Sequence, residues 1–99
     1  MPPMRDVSRI FNKFAGREVP MESKVVKVAG YTFTEHEPKN NPDPVLTALE
    51  KEATKNGLSL RVWWPGIAGT CDYREDRVNA HIEQGHDGKW RVSPRFDLG

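Results

Sequence analysis

The sequence predicts an α+β domain, and three patterns predict it. Residues 43–57 read as a capped amphipathic helix. Residues 58–92 carry three alternating segments divided by turn signals. Residues 7–34 carry a shorter helical stripe followed by two β-rich runs. Elements grouped in this way, with no internal repeat, favour an α+β arrangement. The 99 residues allow a single domain. By area scaling, folding buries about 65% of the unfolded surface, enough for one small core.

Val7, Ile10, Phe11 and Phe14 fall at i, i+3, i+4 and i+7, a helical stripe. Asp6 is placed to cap its start and Gly16 to stop it. So short a helix needs a partner surface for its two Phe side chains. Val25, Val26 and Val28 within residues 22–29 favour a strand, which Gly30 interrupts. Tyr31-Thr32-Phe33-Thr34 then alternates as a second strand would, giving a hairpin or one bent strand. Residues 37–44 are punctuation, with Pro38, Asn40, Asn41, Pro42 and Pro44 around Asp43. Asp43 is the N-cap of the next helix and Pro44 its first residue, where a missing N–H costs nothing. Val45, Leu46, Leu49 and Ala53 form its apolar face, and Glu50, Lys51, Glu52 and Lys55 face water. Asn56-Gly57 closes it. Leu58, Leu60, Val62 and Trp64 alternate with Ser59, Arg61 and Trp63 in a half-buried strand that Pro65 ends. Val78, Ala80 and Ile82 alternate with Arg77, Asn79, His81 and Glu83. Gly85-His86-Asp87-Gly88 is a turn, with the Asp-Gly signal of a hairpin, and residues 89–92 return as a third strand.

Composition narrows the function classes. At 36% apolar and 29% charged the chain is too polar for a membrane protein, and its aromatic content argues against disorder. No run approaches the ~20 apolar residues of a membrane span. Lys+Arg 15 against Asp+Glu 14 leaves net +1, so no global field draws the chain to nucleic acid or acidic lipid. Arg5, Arg9 and Lys13, followed by Arg17, read as a solvated helix face, with a nucleic-acid stripe the weaker reading. The opening Met-Pro-Pro-Met-Arg-Asp lacks the apolar run of a signal peptide, and the single Cys71 excludes an internal disulfide. The expectation is a cytoplasmic protein, secreted or periplasmic only if a leader was removed.

His36, His81 and His86 sit in different elements without metal-ligand spacing, so neither metal nor cofactor is expected. His81 and His86 read as solvent-facing. Cys71 lacks the setting of a nucleophile, because Asp72 directly behind it opposes thiolate formation. Gly66-Ile67-Ala68-Gly69 lacks the spacing and the lysine of a P-loop. The chain is not expected to be an enzyme. One of Trp63 and Trp64 points inward. The other lies on the outer face of the sheet, where packing under the N-terminal helix is its expected role.

The unusual feature is the connection between Trp64 and Tyr73, which joins two strongly patterned strands and is too long for a tight hairpin. The dense polar run Asp72-Tyr73-Arg74-Glu75-Asp76-Arg77 follows. Guanidinium forks can brace such a loop by donating fixed hydrogen bonds to a threonine hydroxyl and a carboxylate. A braced loop loses less entropy on binding.

The segment Arg61-Val62-Trp63-Trp64-Pro65-Gly66-Ile67-Ala68-Gly69-Thr70-Cys71-Asp72-Tyr73-Arg74-Glu75-Asp76-Arg77-Val78-Asn79 resembles the reactive-loop segment of the potato type I inhibitors of serine proteases. It is closer still to their short bacterial and fungal relatives, the elastase-inhibitor-like family. The resemblance runs from Leu58 to Glu83. It covers the preceding helix and the C-terminal hairpin by order, so residues 41–99 read as the inhibitor-like core and residues 1–40 as an extension. It implies one helix packed on a small mixed β-sheet, with a long exposed loop presented to a protease as a substrate would be. Carried over by position, Ile67, Ala68, Gly69, Thr70, Cys71, Asp72 and Tyr73 form the protease-binding loop. Cys71 is the primary specificity residue, and the scissile bond follows it. Thr70 and Asp72 are the groups held by Arg77, with Arg74 nearby and Asn79 where the plant inhibitors place a second bracing arginine. Cys71 stands where Met or Leu is usual. The implied function is inhibition of a subtilisin-, chymotrypsin- or elastase-like serine protease by a monomer that binds neither nucleic acid nor membrane. The competing expectation is an intracellular interaction module on an inhibitor-like scaffold, without inhibitory activity, working through the N-terminal helix and Trp63.

Overall fold

A computed structural model of the chain describes residues 7–67 and 74–99; residues 1–6 and 68–73 lie outside them. The element order is α1 (Val7–Phe11), a 3-10 turn (Asn12–Phe14), β1 (Met21–Val28), β2 (Tyr31–Pro38), α2 (Pro44–Lys55), β3 (Ser59–Trp63), β4 (Arg77–Gln84) and β5 (Trp90–Leu98). The class is α+β. β3, β4 and β5 form one sheet in that order, with β3 parallel to β4 and β4 antiparallel to β5. The sheet is therefore mixed. β1 and β2 form a separate antiparallel hairpin.

Local signals account for α2. Asp43 Oδ1 accepts from the N–H groups of Val45 (2.8 Å) and Leu46 (3.1 Å), and Pro44 opens the helix. At its far end Gly57 takes φ +70°, a conformation that favours glycine. The Leu58 N–H returns to the Ala53 carbonyl at 2.8 Å, which aims the chain straight into β3.

The core lies on one face of the sheet. Val78, Ala80 and Ile82 of β4, with Trp90, Val92 and Phe96 of β5, meet Leu49 and Ala53 of α2. The N-terminal segment belongs to the same core. Phe11 is fully buried and stacks on Phe96 with ring centroids 5.6 Å apart, and Val7, Phe14 and Val19 are buried beside it. The two Phe side chains thus find the partner surface that so short a helix needs. Lys13 Nζ reaches Glu52 Oε1 at 3.1 Å and ties the 3-10 turn to α2. After Gly16 the chain runs antiparallel to β5. The Gly16 and Val19 N–H groups donate to the Val92 and Trp90 carbonyls (2.8 and 2.9 Å), and the Val92 N–H donates to the Arg17 carbonyl (2.9 Å).

Three details depart from the sequence expectation. β5 continues to Leu98, beyond the residues 89–92 expected to form the strand. Its register against β4 shifts between Ala80 and Ile82, whose partners are Phe96 and Val92. Ser93, Pro94 and Arg95 therefore bulge, and a bulge is where a strand tolerates proline. The β1–β2 hairpin is longer than expected, reaching Pro38, and it turns at Ala29 and Gly30, both at positive φ (51° and 83°). That pair of angles matches the twist of a two-residue hairpin. Finally, His81 is half-buried, its side chain 20% exposed. Trp63 stands beside it on β3 as its register partner.

Candidate functional site

The parallel pairing of β3 with β4 decides where the candidate loop can run. Parallel neighbours cannot be joined by a hairpin, because the chain must return to the starting end of the sheet. Residues 64–76 make that return between Trp63 and Arg77. The register pairs from Ser59 with Arg77 to Trp63 with His81 imply a traverse of about 13 Å along the ladder. The departure is a turn: Pro65 leads into Gly66 at φ +88°, and the Ile67 N–H donates to the Trp64 carbonyl at 3.2 Å. Ile67 is half-buried. Ala68, Gly69, Thr70, Cys71, Asp72 and Tyr73 lie outside the described residues.

The outer face of the sheet is polar and connected. Period-two alternation puts Arg61 and Trp63 of β3, Arg77, Asn79 and His81 of β4, and Asp97 of β5 on this side. Asn79 is buried, and its amide is fully used. Its Oδ1 accepts from Trp63 Nε1 at 2.9 Å, and its Nδ2 donates to Asp97 Oδ1 at 2.9 Å and the Gly99 carbonyl at 3.3 Å. Arg77 Nε donates to the same Gly99 carbonyl at 2.7 Å, and the Gly99 N–H donates to the Arg77 carbonyl at 3.0 Å. Arg61 lies over the Trp63 ring, 4.4 Å from its centroid. His81 Nε2 sits 3.7 Å from Asp97 Oδ2 without a hydrogen bond. Arg74 closes its fork on Asp76, with Nε to Oδ1 at 3.2 Å and Nη2 to Oδ2 at 3.1 Å, in an exposed pair.

Arg77 and Asn79 therefore meet in one network, while Arg74 is turned into the short approach to β4. The sequence reading missed that Asp97 and Gly99 join this network. The signal for them is the register of β5, concealed by the bulge at Pro94. Trp63 lies on the outer face as one of the two tryptophans should. Its partners are Arg61 and Asn79, and the N-terminal helix packs instead against β5. Trp64 faces the core.

A second surface is the β1–β2 arm. Val25, Val28, Tyr31 and Phe33 are its exposed large apolar side chains, with Tyr31 at 77%. Register puts Val26, Val28, Tyr31 and Phe33 on one face. The arm passes the departing loop: a Cβ on Gly66 would lie 3.9 Å from the Thr34 carbonyl oxygen. Among the described residues no three metal-ligating side chains gather, and no helix is long and apolar enough to cross a membrane. Comparison of the chain with family models, curated proteins and solved structures returned no match.

Proposed function

We propose that the protein is a reversible serine protease inhibitor that offers residues 66–73 to the protease as a substrate-like strand. The observation that carries this reading is the parallel β3–β4 pair, which makes residues 64–76 a traverse ending at Arg77 and Asn79. Asn79, buried with its amide fully used, and Arg77, held by the Gly99 carbonyl, form a pre-ordered end suited to restraining a loop, because groups already ordered lose less entropy on binding. The resemblance supplies the register, with cleavage directed after Cys71 and Arg77 as the principal brace. In this mechanism the protein performs no chemistry of its own. The protease attacks the bond after Cys71, and restraint of the leaving segment favours religation over release.

Reduced protein in excess should slow at least one subtilisin-, chymotrypsin- or elastase-type enzyme reversibly. Arg77→Ala should turn the inhibitor into a substrate cut after Cys71, detected by mass spectrometry. Inhibition unchanged by Arg77→Ala would remove the bracing argument, and no inhibition across the panel would remove the function.

A second reading, an interaction module on the same scaffold, is favoured by the apolar arm. It cannot use the apolar stripe of α1, which is spent in the core. A partner retained after replacement of the loop and lost after Tyr31→Ser with Phe33→Ser would favour it.

A further inference from the structure

The core is open on one side. Between α2, the free edge of β3 and residues 37–43 lies a groove of about 750 Å³, in the range of ligand sites. Leu46, Leu60 and Val62 line its apolar wall, and Glu37, Asp43 and Glu50 supply carboxylates. Among the described residues no lysine or arginine lines it. Asp43 is 3% exposed. Its Oδ1 is used by the Val45 and Leu46 N–H groups, but its Oδ2 has no hydrogen-bond partner. A buried carboxylate oxygen without a donor is costly, and a cation brought to it would offset that cost.

The same groove borders main chain able to pair. Ser59 N–H donates to the Asp76 carbonyl at 2.8 Å, so Ser59, Arg61 and Trp63 are the β3 residues that bond to β4. The alternate residues, Leu60 and Val62, turn their N–H and C=O groups away from β4. No described strand pairs with β3 on that side. An unpaired edge beside an apolar groove is the geometry of strand addition.

We propose that this groove binds an extended peptide segment of a partner protein, added as a strand along β3, with an arginine or lysine of that segment paired to Asp43 and Glu50. The proposal does not rest on residues 66–73, so it stands or falls independently of protease inhibition.

The test is titration of the full-length protein, followed by amide NMR, with acetyl-Val-Thr-Arg-Thr-Val-amide. Alternation would aim its Val and Arg side chains into the groove. Saturable shifts centred on Leu46, Leu60 and Val62 are expected, with no saturation when Glu replaces the peptide's Arg. Asp43→Asn keeps a good helix cap while removing the charge, and should weaken binding about tenfold or more. Glu50→Gln, on the exposed side of α2, should weaken it in the same direction without touching the cap. The proposal is overturned by an absence of saturable shifts or by shifts centred on the arm. Equal binding of the Glu peptide, or unchanged affinity in Glu50→Gln, overturns it too. If ethylguanidinium alone reproduces the Leu60 and Val62 shifts, the groove is a small-cation site and strand addition is wrong. Shifts on simple concentration of the protein would assign the edge to a second copy instead.

Discussion

Asn79 is the residue that best explains how the outer face stays ordered. An amide side chain offers two donors and one strong acceptor, and here Trp63, Asp97 and Gly99 use all three. Asp43 was legible from the sequence because a helix cap is a local event: its partners are two and three residues away. The Asn79 network was not, because it depends on the register of three strands. The same distinction separates His86, exposed in its turn as expected, from His81, whose burial depends on a neighbouring strand. At the β4–β5 turn, Arg91 donates to both Asp87 oxygens (3.1 and 2.7 Å), and the Lys89 N–H adds a third bond (3.1 Å). The Arg91 fork, then the Lys89 N–H, hold the Asp87 carboxyl well below the usual carboxylate range. A folded pKa lower than the unfolded one contributes stability above the ordinary value of about 3.9, which is lost as pH falls through the folded value. Exposure keeps that contribution small. An NMR pH titration should find Asp87 still ionised below the ordinary carboxylate range. A midpoint in the ordinary range would mean that the fork is open in solution.

At the scale of elements, α1 was legible as a stripe, while its partner was not: Phe96 lies more than eighty residues away. Phe11→Ala removes a fully buried ring that stacks on Phe96, and should cost about 3–5 kcal/mol in urea unfolding. A cost below about 1 kcal/mol would mean that α1 detaches from the core in solution. α2 was legible at both ends because its cap and its Gly57 stop are sequence signals. The extent of β5 was not, since Pro94 forbids a regular central ladder and only the bulge admits it. Period-two patterning places β3 and β4 equally well in a parallel or an antiparallel pair, so the direction of the candidate loop came from the resemblance rather than from the pattern.

The whole molecule is elongated. The chain measures 51 × 29 × 24 Å, with a radius of gyration of 14.8 Å against about 12.6 Å for a compact domain of this length. Its accessible surface is 6931 Å², above the roughly 5,700 Å² that area scaling gives. Residues 24–35 contribute nothing to the buried core, so an Asn-Gly turn joining the paired Ser23 and His36 should leave Tm within about 5 °C. A larger fall would show that the distal arm supports the domain. Inhibition surviving this excision would confine protease contact to the loop, and its loss would bring the arm into that contact.

The order of strands has one more consequence. The β4–β5 hairpin is flanked on one side by β3 and on the other by residues 16–19, so the C-terminal piece is wedged between two parts of the N-terminal piece. A molecule nicked within residues 68–73 should remain one particle. Two separately made polypeptides, residues 1–70 and 71–99, should reconstitute it on mixing, with near-stoichiometric association detected by sedimentation and recovery of the Trp63 and Trp90 environments by fluorescence. Fragments that stay apart would mean that assembly of the sheet depends on the covalent crossover.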